Sequence, residues 1–273
     1  MPAGFVWVAR GQDTFAAADG PLAAPLYERG LLEASGVRRA LADGAGSPGR
    51  ARTAAVSLSE PDAALLLRGL RRGGLLGPLL GAALLGPARP FRELAATAAL
   101  RAAGAPVPRP AAAVAWRHGL VWNAAVATRL EAGATDAGAF LASNPPEASL
   151  RAALAAAGRA VRRFHDAGGS HRDLHLGNLL VRSDPWEALV IDLDGARVGP
   201  SLDPIARMAE LMRLYRSLRK RQMLERVGER GCAAFFRAYV AGDRALRRAL
   251  LARLRIERRR VSLHALHYPR PAR

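Results

Sequence analysis

The chain has a single cysteine in 273 residues, Cys232, so no disulfide can form within it, which fits a reducing compartment. It has a single lysine, Lys220; the rest of its 41 Lys and Arg residues are arginine. Aromatic residues make up only 5% and no nucleic-acid motif is recognisable, so no nucleic acid is expected as a partner. Long apolar runs are also missing. The most apolar stretch, Gly73 to Pro87, is short for a membrane span and is interrupted by Gly and Pro. It is expected as a buried or membrane-surface segment. The first residues, MPAGFVWVARGQD, lack a basic start followed by an apolar stretch and do not read as a signal peptide. There is no internal repeat and no long polar tract. Half of the chain is apolar, so it can bury a core, and global disorder is excluded.

What is present is positive charge, +18 overall, and it is unevenly placed. Arg207 to Arg273 holds nineteen Lys or Arg against five Asp or Glu. A basic end of this kind seeks anions such as an anionic membrane or a phosphorylated substrate. A compositional bias that writes Arg at every solvated charge gives the same count, and both readings stand.

The first forty residues are weakly patterned, and a turn-rich stretch follows at Gly44–Gly49. Strands are expected at 54–58 and 63–68, joined by the turn sequence Ser59-Glu60-Pro61-Asp62. A helix is expected over 90–103, with Pro at its start and Gly104 past its end. A second hairpin is expected from 112–116 and 120–127, turning at Arg117-His118-Gly119. The second half changes character. Leu150, Leu154, Ala157, Val161 and Phe164 recur three and four apart, which predicts a helix over 149–167. A loop at 171–177, strands at 179–182 and 188–192, and a helix carrying Met208, Leu211, Met212, Tyr215 and Leu218 complete the reading. A strand-rich half thus precedes a helical half, with the change near Thr128–Gly133. The fold class is α+β in two lobes, 1–130 and 131–273.

The stretch SHRDLHLGNLLVRSDPWEALVIDLDGARVG carries the chemistry. Asn178 stands five residues after Asp173 and Asp192 nineteen after it, at the two ends of a hairpin that antiparallel pairing closes. Phosphoryl transfer needs a carboxylate to take the acceptor hydroxyl's proton and oxygen ligands for Mg²⁺. Asp173 is the candidate base; Asn178 and Asp192 are the candidate metal ligands. His171-Arg172-Asp173 with Asn178 completes the protein-kinase pattern H-R-D-x-x-x-x-N, and Asp192-Leu193-Asp194-Gly195 stands where D-F-G is expected. Asp194 reads as a cap or a second metal contact. His175 reads as a loop residue that hydrogen-bonds rather than a catalyst.

Three further stretches resemble the bacterial lipopolysaccharide core kinases, which include 3-deoxy-D-manno-octulosonic acid (Kdo) and heptose kinases. They are Leu66–Gly74, ending Arg-Arg-Gly-Gly; Phe91-Arg92-Glu93-Leu94 with the Pro-rich Ala105–Pro110; and Arg213–Lys220, with its Arg-Ser-Leu. The resemblance spans roughly Leu65 to Arg221 and implies a protein-kinase-like fold with an ATP-binding N-lobe and a helical C-lobe. It implies ATP and Mg²⁺ as cofactors and a lipid-linked anionic sugar as substrate. The implied location is peripheral, at the cytoplasmic face of the inner membrane. By position it makes Glu93 the helix glutamate that pairs with the phosphate-gripping cation, and Thr128–Glu131 the hinge that meets adenine, with Glu131 at its end.

The chain departs from protein kinases in having no lysine at the end of the third strand. Arg68 is the candidate substitute, with Arg71 and Arg72 as competitors; an Arg grips phosphate bidentately. Gly44, Gly46 and Gly49 satisfy G-x-G-x-x-G and are candidates for the phosphate loop, although Pro48 removes one backbone donor. Two alternatives stay open: a kinase-fold enzyme for another small molecule or a protein, and a non-catalytic module that grips anions. The sequence does not fix the oligomeric state.

Overall fold

The computed structural model describes residues 1–44, 52–58, 64–70 and 84–265. They form two compact units. The first comprises Met1–Ala103, Val107–Ala132 and Leu193–Ala196; the second comprises Gly104–Pro106, Gly133–Asp192 and Arg197–Arg273.

The first unit is built on a six-stranded antiparallel sheet. In chain order its strands are β1 (Phe5–Arg10), β2 (Thr14–Asp19), β3 (Thr53–Val56), β4 (Leu65–Gly69), β5 (Pro110–His118) and β6 (Val121–Arg129). Their spatial order is β1-β2-β5-β6-β4-β3. Helices α1 (Gly20–Glu28) and α2 (Ala34–Asp43) follow the first hairpin, and α3 (Ala88–Ala102) precedes β5. Both faces of the sheet are covered. Ala16, Ala18, Ala112, Val114 and Trp116 pack with Leu22, Leu26 and Val37 of α1 and α2. The alternate residues Ala17, Ala113 and Ala115 pack with Leu94 of α3.

Two strands and two helices therefore occupy the forty residues in which the sequence showed little pattern. Strand β2 is buried along 16–19 on both faces of the sheet and needs no polar alternation, so its period-2 signal is absent. Alanine, which fills β2 and β5, also has low strand propensity. The β5–β6 hairpin is longer than expected and turns at Gly119-Leu120, because His118 still pairs with Val121. The expected turn at 59–62, Arg71, Arg72, Gly46, Gly49 and most of the apolar Gly73–Pro87 stretch lie outside the described residues.

The second unit is mainly helical. Short strands β7 (Thr135–Asp136), β9 (Leu179–Arg182) and β10 (Glu187–Val190) form one sheet, and β8 (Gly169–Ser170) pairs with β11 (Arg197–Val198). Around them lie α4 (Ala137–Ala142), α5 (Glu147–Asp166), α6 (Pro204–Lys220), α7 (Leu224–Val240) and α8 (Arg244–Ala265). The spacing read in the sequence places Leu150, Ala157, Val161 and Phe164 on the buried face of α5. Helix α6 starts where the Asp203 carboxylate accepts the Ile205 and Ala206 N–H groups at 2.7 and 2.9 Å, with Pro204 in the first turn. Among the described residues no helix is long and apolar enough to cross a membrane.

α5 and α7 approach closely at Gly158, where an added Cβ would stand 2.3 Å from the Phe235 carbonyl oxygen. That neighbour is backbone, so a side chain at 158 forces the helices apart. Gly158→Ala is expected to cost about 1–3 kcal/mol. A melting curve at the wild-type temperature would show instead that the helices yield freely.

Candidate active site

In the second unit the His171–Asn178 loop is held from several sides. The His171 N–H donates to both oxygens of Glu210, each at 3.0 Å, and the Ser170 hydroxyl donates to Glu210 Oε1 at 2.8 Å. His171 Nδ1 accepts the Asp173 N–H at 3.1 Å, so its proton sits on Nε2 and is donated to the Ile191 carbonyl at 3.0 Å. Leu176 N–H donates to Ser217 Oγ at 3.1 Å, which gives the Arg-Ser-Leu stretch of α6 a physical role. Leu174 and Leu176 plug the loop into the core. The Asp173 side chain remains 80% exposed above this frame.

Asn178 is buried, and its Nδ2 donates to the Asp173 carbonyl at 2.9 Å, which leaves Oδ1 as the acceptor atom of the side chain. The Ile191 N–H donates to the Asn178 carbonyl at 3.0 Å, extending the β9–β10 pairing by one residue. Ile191 is thus fixed at both its N–H and its C=O, and the next residue is Asp192. Asp192 is exposed and adopts φ +58°, a left-handed conformation that costs on the order of 1–2 kcal/mol. Such a conformation persists where neighbours over-determine it and is concentrated at functional sites. The unit therefore gathers Asp173, Asn178 and Asp192 through named backbone bonds.

Beneath the loop lies a buried polar chain that the sequence reading missed. Arg207 donates to Tyr239 Oη at 3.4 Å, and Tyr239 donates to His165 Nδ1 at 2.7 Å. His165 Nε2 in turn donates to Glu210 Oε2 at 3.2 Å. Arg207 also donates to the Asp166 carboxylate at 2.6 Å. Burial pushes the Tyr239 hydroxyl up to about 12 and lowers the His165 imidazole below its usual 6.5, against the pull of Glu210. Burial alone would raise the Glu210 carboxyl. Hydrogen bonds from His165, Ser170 and the His171 backbone hold it below the usual value, so it is the ionised acceptor of the chain. A separate apolar cavity of about 640 Å³ in this unit is lined by residues including Leu154, Leu176, Met212, Leu218 and Phe235.

In the first unit Arg68, at the end of β4, donates to Glu93 Oε1 of α3. Glu93 is buried on the same helix face as Leu94 and Thr97. One turn earlier on α3, Arg89 makes a two-pronged contact with Asp194, with Nε to Oδ1 at 2.9 Å. Burial raises the Asp194 carboxyl, but its hydrogen bonds with Arg89 outweigh that and hold it low. Asp194 is therefore an anchor for α3. Gly44 is the residue after α2, extended at φ −83° and ψ 166°. Glu131 follows directly on β6, past Leu130, whose N–H donates to the Ala64 carbonyl at 2.9 Å.

A buried Arg–Glu pair between strand and helix in one unit, and an H-R-D-x-x-x-x-N loop with a trailing Asp in the other, define a kinase-fold phosphotransferase. The model of the lipopolysaccharide kinase (Kdo/WaaP) family matches residues 41–239, and the chain belongs to that family. The 3-deoxy-D-manno-octulosonic acid kinase of Vibrio cholerae serotype O1 is 33% identical over 176 residues, 63% of this chain and 72% of that protein. The enzyme of the same name from Stenotrophomonas maltophilia strain R551-3 is 33% identical over 193 residues, 69% and 73% of the two chains. A solved structure described as WaaP in complex with acyl carrier protein shares the fold, with TM-score 0.51 and 20% identity over 80% of this chain and 90% of that one. As a kinase, the chain takes its phosphoryl group from ATP.

The buried His165 gives a pH test. The unfolded chain binds a proton there near pH 6.5, whereas the folded chain resists it. The unfolded state thus holds more protons below that pH, and stability falls as the pH drops. His165→Gln is expected to remove up to about 1.4 kcal/mol per pH unit of this slope. Urea unfolding midpoints of both proteins, followed from neutral pH downward, check this; parallel curves would refute it.

Proposed function

We propose that this protein transfers the γ-phosphate of ATP to a hydroxyl of Kdo or heptose in the lipopolysaccharide inner core. The observation that carries the reading is the exposed Asp173 carboxylate on a loop whose backbone is pinned by His171, Asn178 and Glu210. Relatives that bear the Kdo kinase name support the sugar acceptor. Residues 1–130 serve as the ATP-binding lobe and 131–273 as the catalytic lobe.

In this reading Asp173 orients the acceptor hydroxyl and takes its proton as the oxygen attacks the γ-phosphorus. The bond from the γ-phosphorus to its bridging oxygen breaks, and ADP leaves. The Asn178 carboxamide oxygen and the Asp192 carboxylate are hard oxygen donors, few in number, and suit Mg²⁺, which keeps phosphate and water as its other ligands. Bound there, Mg²⁺ neutralises charge on the phosphates. Arg68, held by Glu93, grips the phosphates in place of the usual lysine. Gly44, Gly46 and Gly49 belong to the loop that covers them, and Glu131 ends the hinge that meets adenine.

The substrate is lipid-linked, and two features suit such a molecule. The Arg-rich segment from Arg207 onward attracts an anionic leaflet by about 1 kcal/mol per charge near the surface. The 640 Å³ apolar cavity falls within the range of about 300–1,000 Å³ typical of ligand sites and takes an acyl chain. Both support a peripheral position at the cytoplasmic face of the inner membrane.

The test is transfer of radiolabel from ATP to a Kdo-bearing lipid A precursor. Asp173→Ala is expected to lower the rate about 10²- to 10⁴-fold. Stabilisation by Mg·ATP in a thermal-shift assay should survive the change. Transfer at the wild-type rate by the variant would remove Asp173 from the mechanism.

A further inference from the structure

The His171–Asn178 loop contains two imidazoles used in the same way at one end and differently at the other. His171 Nδ1 accepts the N–H of Asp173, two residues on, at 3.1 Å; His175 Nδ1 accepts the N–H of Gly177, also two residues on, at 3.1 Å. Each ring is thereby anchored and carries its proton on Nε2. His171 spends that proton on the Ile191 carbonyl. The Nε2 of His175 faces Asp173 Oδ2 at 3.6 Å, just beyond hydrogen-bond length.

A second observation shows that the loop is shaped around this ring. A Cβ on Gly177 would stand 3.2 and 3.3 Å from His175 Cε1 and Nδ1. A side chain at 177 would press on the imidazole and displace it by a few tenths of an ångström, so glycine at 177 suits this position of the ring. The Asp173 backbone is pinned, but its carboxylate is exposed and turns about χ1 and χ2. Only some of those rotamers present an oxygen to an acceptor hydroxyl. An N–H donor at one carboxylate oxygen selects among them and leaves the other oxygen to meet the acceptor.

We propose that His175 is a positioning residue for phosphoryl transfer: its Nε2–H holds one oxygen of Asp173 so that the other meets the acceptor hydroxyl. The proposal rests on the reading of Asp173 as the base. The motif H-R-D-x-x-x-x-N leaves this position unspecified, and this chain fills it with a donor of fixed direction.

Two substitutions separate positioning from loop capping. Asn places an oxygen near the location of Nδ1 and keeps the Gly177 bond, but does not reach Asp173. Gln places an amide N–H near the location of Nε2 and reaches Asp173, but gives up the Gly177 bond. H175N is expected to lower kcat about 10- to 100-fold with KM for ATP and for the lipid acceptor unchanged. H175Q is expected to recover most of kcat. A wild-type kcat in H175N overturns the proposal. So does an H175Q protein as slow as H175N, because a donor restored near Nε2 then restores nothing; a wild-type H175N beside a slow H175Q assigns the ring to capping the loop. Thermal melts of both variants identify any loss due to unfolding. Failure of the kinase reading itself is distinct: the unsubstituted protein then transfers nothing, and this inference falls with it.

Discussion

The ionised carboxylate of Glu210, closed off from solvent, is the constraint on which the second unit depends. It accepts the His171 N–H on both oxygens, the Ser170 hydroxyl and the His165 imidazole. A buried charge is costly unless its lone pairs are filled, and here they are. The donors come from the loop and from α5, while the carboxylate sits on α6. One group thus fixes the start of the His171–Asn178 loop relative to two helices. Tyr239 and Arg207 complete the chain behind His165, so that each donor in the sequence Arg207, Tyr239, His165 meets an acceptor. From that fixed start the loop proceeds by local bonds, His171 to Asp173, His175 to Gly177 and Asn178 back to Asp173, with His171 also tied to Ile191 and Leu176 to Ser217.

The legibility of this arrangement in the sequence follows the range of its interactions. Asp173, Asn178 and Asp192 lie within twenty residues, on one loop and the hairpin that follows it, so their nearness along the chain could be read directly. Glu210, His165 and Tyr239 are separated by up to 74 residues. Nothing in the spacing of one Glu, one His and one Tyr announces a buried chain. A usable signal was His165, a polar residue in the last turn of α5, beside the buried Phe164. Helices α3 and α5 were legible because each has one buried face and a clear stop. Strand β2 was not, since its buried alanines carry neither periodicity nor strong strand preference. Arg68 and Glu93 entered through family resemblance; the ion pair between them is a result of the fold.

The near-absence of lysine has a structural counterpart in the way cations are used. Arg68, Arg89 and Arg207 are all partly or fully buried, and each meets a carboxylate. A planar guanidinium offers several donors in fixed directions, so one arginine can bind a carboxylate and a second acceptor together. Arg207 does so with Asp166, Ser201 and the Leu202 carbonyl. An ammonium group in its place would satisfy fewer of these acceptors.

Arg89 and Glu93 stand one helical turn apart, on a single stripe of α3, and each is tied to a different segment of the first unit. The two ties cannot be relaxed independently by rolling the helix, because any roll swings both side chains through the same angle. The pair of ties thus braces α3 against rotation about its own axis.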